Sequence, residues 1–359
     1  MFISGGSHGL PLFLLQFYGE NMNETRKIII DCDPGIDDAL ALLLALKSPE
    51  VEVLGITTTA GNTTLAQSTD NAAKVLELAG RQDVPIYRGS DRPLVITGRG
   101  AEDTHGSDGL GDIGLQKSEI QIHDGAVDFI LDTLREHPAG DVSVIAIGPL
   151  SNIARALRRD PETMRRMKEL MIMGGAYKSH GNCTPVAEFN VWFDPHAAAE
   201  VFENLGRPIT MTGLDVTRQV VITPNLLQMI RSFDNPLGTT IHDMMQFYQD
   251  FHWKAERTLG CVVNDPLAIA AIIRPELVRG DELYFKVVTE GDAEGMTMGD
   301  PQGILGKAPN VKALTRVDSK GFMRFLLGRL FPEDIEDIDL ILNNPVYGVY
   351  PDIKDKENE

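Results

Sequence analysis

The chain has 359 residues, 43% of them hydrophobic and 24% charged, and its 33 Lys and Arg against 52 Asp and Glu give a formal net charge of −19. That length can hold one large α/β domain or two ordinary ones, and the acidic balance argues against nucleic acid or an anionic membrane as partner, because no basic face is available to neutralise phosphate. Its 3 cysteines, Cys32, Cys183 and Cys261, fit neither a disulfide framework nor a zinc site, so a reducing cytoplasm is the expected compartment.

Residues 1–21 carry a short apolar run, 10–17, without a basic flank or a small-residue cleavage site. They read as an extension outside the fold rather than a signal peptide or membrane span, with Met22 as a natural start. From there apolar runs alternate with helical patterns. Strands are expected at 27–32, 51–58, 84–89, 142–148, 169–175 and 208–213, and helices at 37–47, 65–79, 124–136, 150–159 and 195–205. This alternation predicts an α/β fold, a mostly parallel doubly wound sheet with helices on both faces. After Pro224 the pattern is largely helical to about Arg274, which puts extra helices in the C-terminal half. Strands return at 283–289 and 311–317, and a closing helix at 321–330. Residues 22–350 read as one domain, and 351–359 as a frayed tail.

Ligands of doubly wound sheets sit at the carboxyl ends of strands. Just past the first strand lie Asp33, Asp37 and Asp38, with Asp31 inside it; past the second lie Gly61 and Asn62. Gly148 and Pro149 follow the strand at 142–148, and Gly174, Gly175, Asn182, Glu188 and Asn190 follow the next, while Asn264 and Asp265 open a later helical stretch. N-capping explains one aspartate at a helix start, or two. Four within 31–38, between a buried strand and a buried helix, point to a bound cation, because like charges so close repel. Hard cations take oxygen ligands. The spacing D-x-D-P-G-x-D-D is not that of an EF-hand loop.

The stretch "DCDPGIDDALAL" resembles the N-terminal signature of the calcium-dependent nucleoside hydrolases of inosine–uridine-preferring type. "GITTTAGN" (55–62), "THGSDGLG" (104–111), "GPLSNIA" (148–154), "PVAEFNVWFDPHAA" (185–198) and "NDPLA" (264–268) resemble further blocks of that family, in order along 24–330. The resemblance implies hydrolysis of the N-glycosidic bond of ribonucleosides to free base and ribose, with a calcium-bound water as nucleophile. It implies calcium held by Asp33, Asp38 and Asp265 and by the backbone carbonyl of Ile147, with Asp33 also the general base. Asp37 would hold the ribose 2′-hydroxyl; Asn62, Asn182, Glu188 and Asn190 would complete the ribose pocket, with Met173 packed near the sugar and His105 close to the base. Asp31 would be a neighbouring structural acid. A homodimer or homotetramer serving nucleoside salvage is the implied assembly and role.

One position departs from the pattern. Many members place a histidine, assigned to protonating the leaving base, where this chain has Asn264, and an amide cannot be a general acid. His242, Tyr248, His252 and Trp253 lie upstream in a helical stretch that could overhang the base; each also reads as packing or a solvated helix face. His252 is the candidate substitute acid, and a stacked aromatic the other. The histidines at 8, 123, 137, 180 and 196 read as surface. Two other classes compete with the hydrolase: a nucleoside- or ribose-binding protein with impaired catalysis because of Asn264, and a phosphatase with an Asp nucleophile, for which 34–38 offer no phosphate-friendly donors.

Overall fold

The computed structural model describes residues 25–96, 100, 102–346 and 348. The expected extension at 1–21 with its start at Met22, and the tail at 351–359, lie outside these. The strands are β1 (Arg26–Cys32), β2 (Val51–Thr58), β3 (Ile86–Arg88), β4 (Ile122–Asp124), β5 (Val142–Ala146), β6 (Leu170–Met173), β7 (Ile209–Thr212), β8 (Val221–Ile222), β9 (Cys261–Val262), β10 (Val278–Val287), β11 (Thr297–Asp300) and β12 (Val311–Val317). Ten of them form one sheet in the order β11-β10-β12-β7-β6-β5-β1-β2-β3-β4. It is parallel from β4 through to β12, and β10 runs antiparallel to both β12 and β11.

The apolar run Ile28–Ile30 at the heart of β1 is buried on both faces of the sheet. Ile28 and Ile30 belong to one core cluster and Ile29 to the other, as the period of a strand requires. The helix Ile36–Leu46 is buried at every position and packs against the helices Leu65–Ala79 and Asn264–Ile273, which is why it shows no polar face. The chain winds outward from β1 in both directions, through β2, β3 and β4 on one side and β5, β6 and β7 on the other. The crevice beyond the carboxyl ends of β1 and β5 is therefore the topological switch point, where such sheets bind ligands.

The expected α/β alternation is present, with differences at short elements. Gly125, in the left-handed region at φ 93°, separates β4 from the helix Ala126–Glu136, so the expected helix at 124–136 begins later. β10 starts at Val278 rather than at 283. The helical C-terminal half resolves into Pro224–Ser232, Pro236–Glu256 and Asn264–Ile273. The first two form an excursion whose ends meet in a small antiparallel ribbon, with Val221 paired to Val262 and Ile222 to Cys261. No helix among the described residues is long and apolar enough to cross a membrane.

Candidate active site

At the switch point the turn after β1 puts Asp33 against the loop after β2 and the segment after β5. Asp33 is fully buried, and its Oδ2 accepts the backbone N–H of Asn62 at 2.6 Å. Its Oδ1 is buried without a hydrogen-bond partner. A Cβ at Gly61 or Gly148 would run into this carboxylate, so the approach requires glycine at both. Asp38 Oδ2 accepts the N–H of Gly35 and the side-chain amide of Asn62, each at 3.0 Å, and its Oδ1 accepts the N–H of Asp33 at 3.2 Å. Asp38 thus caps its own helix, which accounts for one aspartate as N-capping does.

It does not account for the rest. Carboxylate oxygens of Asp37, Asp38 and Asp265 lie within 4.8 Å of one another, all three residues buried. Burial raises the Asp265 carboxyl well above its usual range, and the charges of Asp37, Asp38 and Asp33 raise it further. Burial and then the neighbouring Asp37 push Asp38 to about 7. Asp33 also goes well above the usual range, by burial first and the Asp38 charge second. The sequence reading put Asp33 in the converging trio and Asp37 beside it; here Asp37 completes the trio. A divalent cation fits this donor set: the ligand atoms are all oxygens, they repel one another, and a buried carboxylate oxygen beside them lacks any partner.

Asp37 and Asp265 line the floor of a cavity of about 520 Å³. One end is built from the loop after β6. Glu188 caps the helix Phe189–Phe193 and is held by three backbone N–H groups: Asn190 on Oε1 at 2.9 Å, and Gly175 and Val191 on Oε2 at 2.8 and 3.2 Å. Its carboxyl is raised by burial despite those bonds. Asn190 donates from Nδ2 to the carbonyls of Ile147 (2.8 Å) and Met173 (3.1 Å), tying β5 to β6. Asn182 Oδ1 accepts the N–H of Phe189 at 3.0 Å.

The other end is roofed by the helix Pro236–Glu256. Tyr248 Oη donates to Asp37 Oδ2 at 3.1 Å, and the Asn264 amide donates to the same oxygen at 3.1 Å and to Tyr248 Oη at 3.3 Å. His105 stacks on Tyr248 with ring centroids 5.4 Å apart, and His252 meets Tyr248 edge-on at 4.3 Å. His105 Nδ1 accepts the N–H of Ile36 at 3.1 Å, and burial lowers this imidazole to about 4. His252 Nδ1 contacts the carbonyl of Tyr248 at 2.9 Å, so that nitrogen carries the proton; burial lowers this ring too.

Of the residues the sequence assigned to metal, sugar or base, Asp33 and Asp38 lie under this cavity in the Asn62 network and the others line it, whereas His242 and Trp253, which could have overhung the base, do not line it and Trp253 is exposed. His180, expected on the surface, is exposed but at the cavity wall. Two contributors were missed. Asn152, in the "GPLSNIA" block, donates to Asp31 Oδ1 at 2.8 Å and accepts the N–H of Ser90 at 2.8 Å. Asp31, pushed up to about 7 by burial, sits behind the site as the expected structural acid. Arg218 also lines the cavity.

The profile of the family described as inosine-uridine preferring nucleoside hydrolase matches residues 28–324. The chain belongs to this family. Among curated relatives, uridine nucleosidase 1 of Arabidopsis thaliana is 36% identical over 323 residues, 87% of this chain and 95% of that one. The pyrimidine-specific ribonucleoside hydrolase RihA of Salmonella gallinarum is 39% identical over 307 residues, 84% and 97% of the two chains. Among solved structures, the purine-preferring ribonucleoside hydrolase from Gardnerella vaginalis superposes with a TM-score of 0.80 at 34% identity, covering 85% of this chain and 98% of its own. As a nucleoside hydrolase the protein is an N-ribosylhydrolase, with the α/β fold of its relatives.

Proposed function

We propose that this cavity hydrolyses ribonucleosides to base and ribose with a calcium ion held by Asp33, Asp38, Asp265 and the Ile147 carbonyl, and with Asp37 spanning metal and sugar. The observation carrying this is the convergence of buried carboxylates beside the partnerless Oδ1 of Asp33 on the floor of the cavity. Calcium, when bound, supplies the Lewis acidity that activates the attacking water and a charge that offsets the carboxylates.

The chain's own groups do the rest. Asp33 Oδ1 is free to take the proton of the attacking water, as a general base. Asp37, Asn182, Glu188 and Asn190 bind the sugar hydroxyls, and Glu188 keeps lone pairs for a hydroxyl beyond its three backbone bonds. Met173 packs beside the ring. Breaking the bond leaves an oxocarbenium-like sugar, which the surrounding carboxylates stabilise. His105 presents Nε2–H to the departing base, and Tyr248 and His252 wall it in. Asn264 holds Tyr248 against Asp37 rather than supplying a proton. The enzyme acts in the cytoplasm as a homodimer or homotetramer.

One observation favours the reading as a binding protein with impaired catalysis: Asn264 is no acid, and burial lowers both His105 and His252 away from the protonated state. Release of reducing sugar from a panel of ribonucleosides, with calcium and with a chelator, separates the two. Calcium-dependent release supports the hydrolase; tight nucleoside binding without release supports the alternative; release unaffected by the chelator contradicts the calcium assignment.

A further inference from the structure

The excursion between β8 and β9 begins and ends in a two-stranded ribbon, packs Ile241, Met244 and Met245 into the main core, and carries the roof over one end of the cavity. Arg218 stands at its base, fixed to the sheet by its neighbour: Gln219 Nε2 donates to the carbonyls of Asp215 (2.7 Å) and Thr315 (2.8 Å), the latter in β12. From this platform one guanidinium nitrogen, Nη1, donates to Ser179 Oγ and the His180 carbonyl, each at 2.6 Å. The other, Nη2, donates to Glu256 Oε1 at 3.1 Å, the last residue of the roofing helix, and to the Gly181 carbonyl at 3.4 Å. The loop so held leads directly into Asn182. The two side chains of the ion pair are 18% and 22% exposed, so water screens it only in part. Both line the cavity wall.

We propose that Arg218 is a positioning residue that sets the distance between the sugar end and the base end of the cavity, through its ion pair with Glu256. The inference rests on the sugar and base ends assigned above. A planar guanidinium suits the task because it donates in two fixed directions at once, which a lysine does not. With the pair formed, the loop bearing Asn182 and the helix turn bearing His252 move as one body. With it broken, the sugar still finds its anchors on the sheet, but the base meets a roof whose last turn, bearing His252, has lost its tie to the loop that leads into Asn182.

The test uses the full chain with calcium, comparing wild type, Glu256→Ala, Glu256→Gln and Arg218→Lys. We expect Glu256→Ala to raise KM for a nucleoside about fivefold, the effect of a partly exposed ion pair, with kcat falling by less. Glu256→Gln keeps a neutral acceptor and should recover part of that loss; Arg218→Lys should resemble Glu256→Ala. Inhibition by free ribose should stay as in wild type in both Glu256 variants, which leave the bonds from Arg218 to the loop before Asn182 in place. Raising the salt concentration should raise the wild-type KM and leave that of Glu256→Ala flat. Unchanged KM in Glu256→Ala, or equal salt dependence in both proteins, overturns the proposal. A parallel weakening of ribose inhibition does so too, since the pair would then support the sugar end alone. If ribose does not compete with nucleoside in wild type, it is the assignment of the sugar end that fails.

Discussion

The backbone N–H of Ile36 donates to Nδ1 of His105 across 3.1 Å. Ile36 opens its helix, so that N–H has no intrahelical partner, and the imidazole satisfies it as an acceptor. A Cβ at Gly35 would lie 2.7 Å from the same nitrogen, so the glycine lets the ring approach. The proton of neutral His105 therefore sits on Nε2.

His105 should stay neutral through the working pH range, being lowered to about 4. The pH profile of kcat/KM between 5 and 8 should contain no limb that disappears in His105→Ala, and nitrogen NMR at pH 6 should show the Nε2–H tautomer. His105→Ala should still lower turnover by about tenfold or more, through the lost donor. A limb near 6.5 abolished by that substitution would refute this.

The carboxylate cluster makes metal-free stability depend on pH. Asp33, Asp38 and Asp265 have folded values raised above their unfolded ones, so the folded state holds protons that the unfolded state has released. Their favourable contribution is complete below about pH 4 and is lost as pH rises through the folded values, about 7 for Asp38. In chelator the Tm should be higher near pH 5 than at pH 8, by about 5 °C or more. Calcium should raise the Tm most at pH 8. A chelated protein more stable at pH 8 than at pH 5 would be inconsistent with the buried cluster.

Asp33→Ala should lower kcat/KM by more than about 10²-fold, since base and ligand go together, while the chelated protein melts no lower than wild type because a repelling charge is gone. Activity within tenfold of the parent would contradict the role given to Asp33.

Asn264 separates substrates by leaving group. Natural nucleosides need a proton on the base and p-nitrophenyl riboside does not, so without a general acid the activated riboside should turn over faster by about 10²–10⁴-fold. Asn264→His should narrow the gap, although it also releases Tyr248 Oη from the amide that holds it. Equal rates on both substrate types would mean that another group delivers the proton, and His252→Ala would be the next variant to assay.

The alternation of buried strands and helices was legible because the central elements hold long apolar runs with no polar face, as in Ile28–Ile30 of β1 and Ala39–Leu46. The aspartates were legible because charge is conspicuous between such elements. What the sequence concealed is pairing at a distance: Tyr248 reaches Asp37 over 211 positions and Asn264 over 227. No local period encodes either contact. Asn152 sat in a motif already singled out, but its use, bridging Asp31 to Ser90, follows only from the sheet order that brings β5 beside β1. The strands β8 and β9 are two residues each, too short for any alternation to show.

The chain pairs Val221 with Val262 in a two-stranded ribbon of its own, so everything between is a cassette with adjoining ends. Closing such a segment depends only weakly on its length, and its exposed positions can drift as long as Tyr248 keeps its bond to Asp37. Under the roles proposed here, the sugar chemistry is inherited with the sheet while taste for the base evolves in the cassette. Exchanging 223–260 between relatives, one named pyrimidine-specific and another purine-preferring, is then a route to new base preference on an unaltered hydrolytic floor.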